Sequence, residues 1–362
     1  MKKRHLWTLF CVLIVSAVVL SGFQQNPGDK NGTKEKHDPF AIVKVDGGMV
    51  SGEVVTEEDG KVLHIFRGVP YAAPPVGNLR WRPPQKVENW KGVLDCTEWA
   101  PMAQQPDASG SSAARGGIDE DCLHLNIVTP AQKDSDRFPV MVFFHGGGLA
   151  THTGNSNTYN NTALPMKGVV VVTVNSRLGP LGYMAHPALT EESEYGASGN
   201  YGTMDLVASL KWIRKNIKAF GGDPKNVTIF EESGGGTKTL SVMTTPFGKG
   251  LFHKAIIESG DGAINPAGRY PLANSEAAGV NLQEALGITE GTHEDVLAAM
   301  RAKTWEEIIE AGGDSGFSPR LTIDGHMLTD TVYNIFASGE QGKIPSIVGA
   351  QNRRKCFRAP PR

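Results

Sequence analysis

The sequence has no surplus of either charge: 36 Lys and Arg stand against 38 Asp and Glu, a formal net charge of −2. Such a balance offers no footprint for a polyanion, so nucleic-acid binding has no support. No acidic tail of the kind that keeps a chain solvated and disordered is present. Cysteine is scarce, with four in 362 residues. There is no Cys-x-x-Cys pair and no His/Cys cluster at ligand spacing, so no metal and no cofactor is expected. Internal repeats and low-complexity segments are missing too. Glycine is the exception, at 43 residues, but it follows no G-X-Y period, which excludes collagen. The 40% hydrophobic content leaves ample material for a large core.

Long apolar runs are rare, and the one that stands out is N-terminal. Lys2, Lys3 and Arg4 lead into an uncharged stretch from Leu6 to Leu20, followed by Ser21 and Gly22. Residues 1–22 read as a secretory signal peptide, short for a membrane span. A secreted or periplasmic protein is expected, with no stable membrane span after cleavage; an uncleaved N-terminal anchor is the alternative. Phe23 stands where a bacterial lipoprotein carries Cys, which argues against lipidation. Residues 23–40 are mostly polar and read as a flexible leader. Cys96 and Cys122, 26 positions apart, can close a loop in an oxidising compartment, but spacing alone leaves bridged and free states open.

From 41 to 66 apolar residues alternate between Gly and Asp-Gly turns, which predicts small antiparallel strands. Residues 70–84 are Pro-rich and irregular. Near-continuous apolar runs follow at Phe138–Phe144, Val169–Val174, Asn226–Phe230 and Phe252–Ile257. Such runs suit strands covered on both faces, hence a mostly parallel sheet flanked by helices. A helix is predicted near Met204–Ala219 from the stripe Leu206, Val207, Leu210, Ile213 and Ile217, with Gly221-Gly222 ending it. Helical patterns recur at 272–286 and 293–311. The class is α/β with an antiparallel lead-in.

Two glycine-rich turns end buried strands: His145-Gly146-Gly147-Gly148, and Glu231-Glu232-Ser233-Gly234-Gly235-Gly236. Neither matches a dinucleotide or P-loop pattern, so phosphate cradling is disfavoured. Plain tight turns are one reading. The other is a serine hydrolase, in which a sharp strand-to-helix turn presents a nucleophilic Ser flanked by small residues. Backbone N–H groups of the next residue and of an HGGG loop then bind the oxyanion.

Further blocks occur in a fixed order: PYAAPPVGNLRW (70–81), EDCLHLN (120–126), PVMVFFHGGG (139–148), NSRLGPLGY (175–183), the run 199–230 from GNYG to NVTIF, GLFHKAIIESG (250–260), IDGHML (323–328) and IPSIVGA (344–350). Over about residues 42–350 the chain resembles a type-B carboxylesterase, the cholinesterase-like branch of the α/β-hydrolase fold. The resemblance implies an α/β-hydrolase domain over 41–350 that hydrolyses small-molecule carboxylic esters. It implies Ser233 as nucleophile, with Gly147, Gly148 and Gly234 supplying the oxyanion N–H groups. Glu232 would line the gorge. Glu120 and Arg177 match a pair that ties two loops. Cys122 matches the EDCL cysteine, with Cys96 as its substitute partner.

Three departures stand beside that likeness. Glu231 occupies the position where the family uses Gly, so it must either distort the turn and misalign Ser233 or bury a charge. The family's triad acid falls near Arg354 or Lys355. Residues 351–362 carry five basic residues and no acid, and read as an aberrant tail. The family's His lies further on, in members of roughly 500 residues, well beyond an ordinary single domain. Of the histidines after Ser233, none (His253, His293 or His326) is expected to be the base; His145 belongs to the oxyanion motif. The expectation is a C-terminally shortened esterase. The alternatives are a catalytically dead chain and a non-catalytic esterase-like binding protein.

Overall fold

A computed structural model describes residues 38, 40–106, 115–133, 135–260 and 270–350. The expected signal segment, most of the leader, Cys11, Cys356 and the 351–362 tail lie outside the described residues.

Among the described residues eight strands form the main sheet, in the order β11-β10-β9-β7-β8-β6-β4-β3. The first three in chain order are β3 (Glu53–Thr56), β4 (Val62–Pro70) and β6 (His124–Thr129), all antiparallel to their neighbours. The rest are parallel: β7 (Phe138–Phe144), β8 (Val170–Val174), β9 (Gly222–Glu231), β10 (Lys254–Glu258) and β11 (Ser346–Gly349). A separate three-stranded sheet joins β1 (Ile42–Val45), β2 (Gly48–Ser51) and β5 (Val93–Asp95). The antiparallel lead-in and the parallel body are therefore as the hydrophobic runs predict. Val142 pairs with Val172 on one side and Ile229 on the other, and all three are fully buried. A strand so enclosed needs apolar residues on both faces.

Among the described residues eight helices accompany the strands: α1 (Gly179–Tyr183), α2 (Pro187–Glu192), α3 (Tyr201–Asn216), α4 (Gly234–Thr244), α5 (Leu272–Ala285), α6 (His293–Ala302), α7 (Trp305–Asp314) and α8 (Val332–Ser338). The predicted stripe of α3 is buried at every position. The helix starts earlier than predicted, because Tyr201 and Gly202 pack inside. A Cβ on Gly202 would come within 2.6 Å of the Arg177 carbonyl. The helical pattern over 293–311 proves to be two helices. Thr304 opens the second with a capping box, taking the Glu307 N–H while the Glu307 carboxylate takes its own N–H.

The motif blocks interlock. The Tyr71 hydroxyl donates to the Asn175 carbonyl at 2.7 Å, and Trp81 Nε1 donates to the Pro180 carbonyl at 3.0 Å. Asn200 Nδ2 donates to the Thr322 carbonyl and to Asp324, both at 2.8 Å. Segments far apart in sequence are thus laid on one another at the strand ends. Cys96 and Cys122 are both buried and unbridged, and burial pushes the Cys96 thiol up to about 12.

Candidate active site

β9 ends at Glu231 and α4 begins at Gly234, so the chain turns within Glu232 and Ser233. Ser233 takes φ 59° and ψ −118°. For a residue with a Cβ that is strained, by about 1–3 kcal/mol, and persists only where neighbours enforce it. Three backbone bonds enforce it here. Ser233 N donates to the Glu258 carbonyl at 2.9 Å, Gly235 N to Glu232 at 3.1 Å, and Gly236 N to Ser233 at 2.9 Å. The residue is exposed, and its side chain makes no capping hydrogen bond. A hydroxyl is thereby lifted clear of the sheet at a helix N-terminus.

The second glycine turn leaves the neighbouring strand β7. Gly147 and Gly148 have φ 83° and 65°, which a side chain resists. The Ala150 and Thr151 N–H groups close the turn on the Gly147 carbonyl, at 3.3 and 3.1 Å. The two turns meet backbone to backbone. A Cβ on Gly146 would lie 3.0 Å from the Glu232 carbonyl and 3.6 Å from Ser233 Cβ. A Cβ on Gly234 would lie 2.0 Å from Gly148 N. Ser233, Gly146, Gly148 and Gly234 are therefore gathered at one spot, with Gly147 in the connecting loop. The loop beyond is anchored by a buried amide network. Asn155, Asn160, Asn175, Thr173 and Asn126 bond to one another or to the loop backbone at 2.7–3.1 Å.

The Glu231 side chain is accommodated beside the turn with its carboxyl buried. Room comes from the glycines that follow: a Cβ on Gly235 would meet Glu231 Cβ at 2.7 Å, and one on Gly236 would meet Oε1 at 3.2 Å. Oε1 accepts the Glu258 N–H at 2.7 Å, while Oε2 has no partner among the described residues. Burial pushes the Glu231 carboxyl up to about 7, against the pull of the Glu258 N–H.

Sequence reasoning missed Lys238. It lies on α4 and is fully buried, and its Nζ donates to the His145 carbonyl at 2.9 Å. His145 Nδ1 lies 3.0 Å from the Gly146 carbonyl, which suits an N–H there and leaves Nε2 as an acceptor 3.3 Å from Nζ. Burial, helped by the Lys238 charge, holds His145 well below the usual imidazole range. Burial also lowers Lys238 to about 7. The signal available in the sequence was a single charged residue in the otherwise uncharged stretch Gly234–Thr244.

The expected Glu120–Arg177 pair is not formed. Glu120 binds Arg80, whose guanidinium also caps the end of α6 through the Lys303 carbonyl at 2.7 Å. Arg177 binds Asp205 through Nε–Oδ2 at 2.9 Å and Nη2–Oδ1 at 2.7 Å. Glu120 precedes β6 and Arg177 follows β8 at the same end of the sheet, and each meets another partner of opposite charge.

The later histidines are engaged elsewhere. His253 Nδ1 accepts the Val227 N–H, His293 pairs with Glu191, and His326 stacks on Tyr195 with centroids 3.9 Å apart. Among the described residues no group of three or more His, Cys, Asp or Glu is arranged to hold a metal. A cavity of about 590 Å³ lies beside the oxyanion loop, walled by Ala150, Pro180, Trp305, Ile309 and Phe317.

The profile of the Carboxylesterase family matches residues 39–360. The chain is 39% identical over 322 residues to a fumonisin B1 esterase of Sphingopyxis macrogoltabida, covering 86% of this chain and 56% of that protein. It is 37% identical over 318 residues to a para-nitrobenzyl esterase of Bacillus subtilis (strain 168), covering 82% of this chain and 62% of that protein. Among solved structures, a PNB esterase superposes with a TM-score of 0.76 at 34% identity, covering 86% of this chain and 63% of that one. A Geobacillus stearothermophilus carboxylesterase gives a TM-score of 0.74 at 30% identity, with the same coverages of 86% and 63%. The chain thus spans less than two thirds of the length of these relatives. It has the α/β-hydrolase fold, and it belongs to the carboxylesterase family.

Proposed function

We propose that this chain carries the nucleophile and oxyanion parts of a carboxylic-ester hydrolase. Ser233 Oγ bonds to the ester carbonyl carbon, the carbonyl oxygen takes the negative charge, and the alcohol leaves with the serine proton. Water then releases the acid from the acyl-serine. Backbone N–H groups of Gly147, Gly148 and Gly234 are the donors for the oxyanion. The observation that carries this reading is the strained, exposed Ser233 at a strand-to-helix turn packed directly on the glycine loop of β7. The N-terminal pattern supports export of the protein.

One observation favours a second reading, an esterase-like chain without turnover. Ser233 needs a base to accept its proton, and His253, His293 and His326 are each held against other partners. A fluorophosphonate probe separates the two. Covalent labelling of the full chain, mapped to Ser233 and abolished in Ser233→Ala, is expected. Labelling without hydrolysis of p-nitrophenyl acetate identifies the second reading. No labelling of folded protein sinks the nucleophile assignment itself.

A further inference from the structure

The oxyanion loop and the nucleophile belong to different strands, and oxyanion stabilisation depends on their spacing. A displacement of about 1 Å at such a site costs on the order of 100-fold in rate. The β7–β9 ladder joins the two strands as far as Phe144 and Glu231, and beyond it the two turns touch through glycine backbone. One side chain spans the junction from below. Lys238 projects from α4, the helix that Ser233 begins, and its Nζ donates to the carbonyl of His145, the first residue of the glycine loop.

We propose that Lys238 is a positioning residue for ester hydrolysis, clamping the oxyanion loop to the nucleophile helix through the His145 carbonyl and imidazole. The inference rests on the function proposed above and names a residue that function does not itself require.

Three features point to a clamp rather than to filler. Lys238 is completely buried, and lysine occurs in such places only when its ammonium is paired. Its partners are both on one residue: the His145 carbonyl at 2.9 Å and Nε2 at 3.3 Å. Among the described residues no carboxylate lies within ion-pair distance of Nζ, so the contact with His145 is not incidental to a salt bridge. The compensating charge is Glu231, at the end of β9 one residue before the elbow, where it favours the protonated amine. Glu231 and Lys238 therefore bracket Ser233 from the strand and from the helix.

The test compares the full wild-type chain with Lys238→Met and Lys238→Gln. The first readout is amide hydrogen exchange at Ala150 and Thr151, whose N–H groups are bonded to the Gly147 carbonyl. The second is labelling by a small fluorophosphonate, split into the binding constant KI and the bond-forming rate kinact. In Lys238→Met exchange at Ala150 and Thr151 is expected to rise roughly tenfold while β9 and α4 stay protected. kinact is expected to fall roughly 10- to 100-fold at unchanged KI. Wild-type exchange and wild-type kinact in the variants overturn the proposal. So does a rise in exchange spread evenly over β9, α4 and the loop, which marks a merely structural lysine. If Lys238→Met does not fold, Lys238→Gln, which removes the charge and reaches less far, carries the same comparison. If the wild-type chain is never labelled, the esterase reading fails, and the exchange measurement alone still decides whether Lys238 holds the loop.

Discussion

Two buried charge clusters lie close to the strand ends, and they are built on opposite terms. Arg177 and Asp205 are almost wholly inaccessible and meet in a two-pronged ion pair. Asp205 also accepts the Arg177 N–H, and the guanidinium spends a further donor on the Arg82 carbonyl. Glu231 and Lys238 are as deeply buried, yet they form no ion pair, one carboxylate oxygen has no partner among the described residues, and burial drives both toward neutrality. A cluster that only holds segments together is free to satisfy every atom. One beside a nucleophile elbow takes its positions from the turn, and its charges accept what partners remain.

The comparison is broken most severely at the satisfied pair. Asp205→Ala leaves a guanidinium buried without its counter-charge, and about 3–5 kcal/mol of stability should be lost. Urea unfolding, or the yield of soluble protein if the loss exceeds the total, measures it. A loss below about 1 kcal/mol would show that the pair is not the anchor described here.

A smaller and pH-dependent effect is expected at the other cluster. Glu231 is raised in the folded chain, so its contribution is full below its ordinary value of 4.5 and is lost as pH climbs to about 7. Lys238 is lowered, so its contribution is full above its ordinary 10.5 and is lost as pH falls to about 7. Together they place a dip in stability near neutrality. Glu231→Gln should flatten the decline between pH 4.5 and about 7 relative to wild type and leave the alkaline limb in place. Denaturant midpoints across that range decide it, and parallel curves for the two proteins would refute the assignment.

The smallest effect belongs to an exposed pair. His293 and Glu191 are more than half exposed, and such pairs contribute little. His293→Gln should leave both the unfolding midpoint and fluorophosphonate labelling unchanged. A drop in labelling would bring His293 into the chemistry after all.

Much of the fold was legible because its signals are local. β7 and β8 announce themselves as Val/Ile/Phe runs, since strands covered on both faces cannot alternate. The elbow is legible because a strained turn between strand and helix demands small neighbours, and Gly234 to Gly236 supply them. The break between α6 and α7 was also written locally, in Thr304 and Glu307, but helical periodicity on both sides masked it. The room for Glu231 was not legible. A side chain at that position looks forbidden until Gly235 and Gly236 are seen to lie over it.

Sequence alone carries the family, the α/β order of elements, the candidate nucleophile and the glycine loops, because each depends on residues adjacent along the chain. The folded chain settles the pairings. Arg177 chooses an acid 28 positions away, and Lys238 reaches a carbonyl 93 positions away. Ion pairs and buried donors are satisfied by whatever strand order brings near, and β9 lies beside β7 only once the crossovers are made. Hence Glu120 found Arg80, Arg177 found Asp205, and the lysine beneath the elbow gained its meaning only in three dimensions.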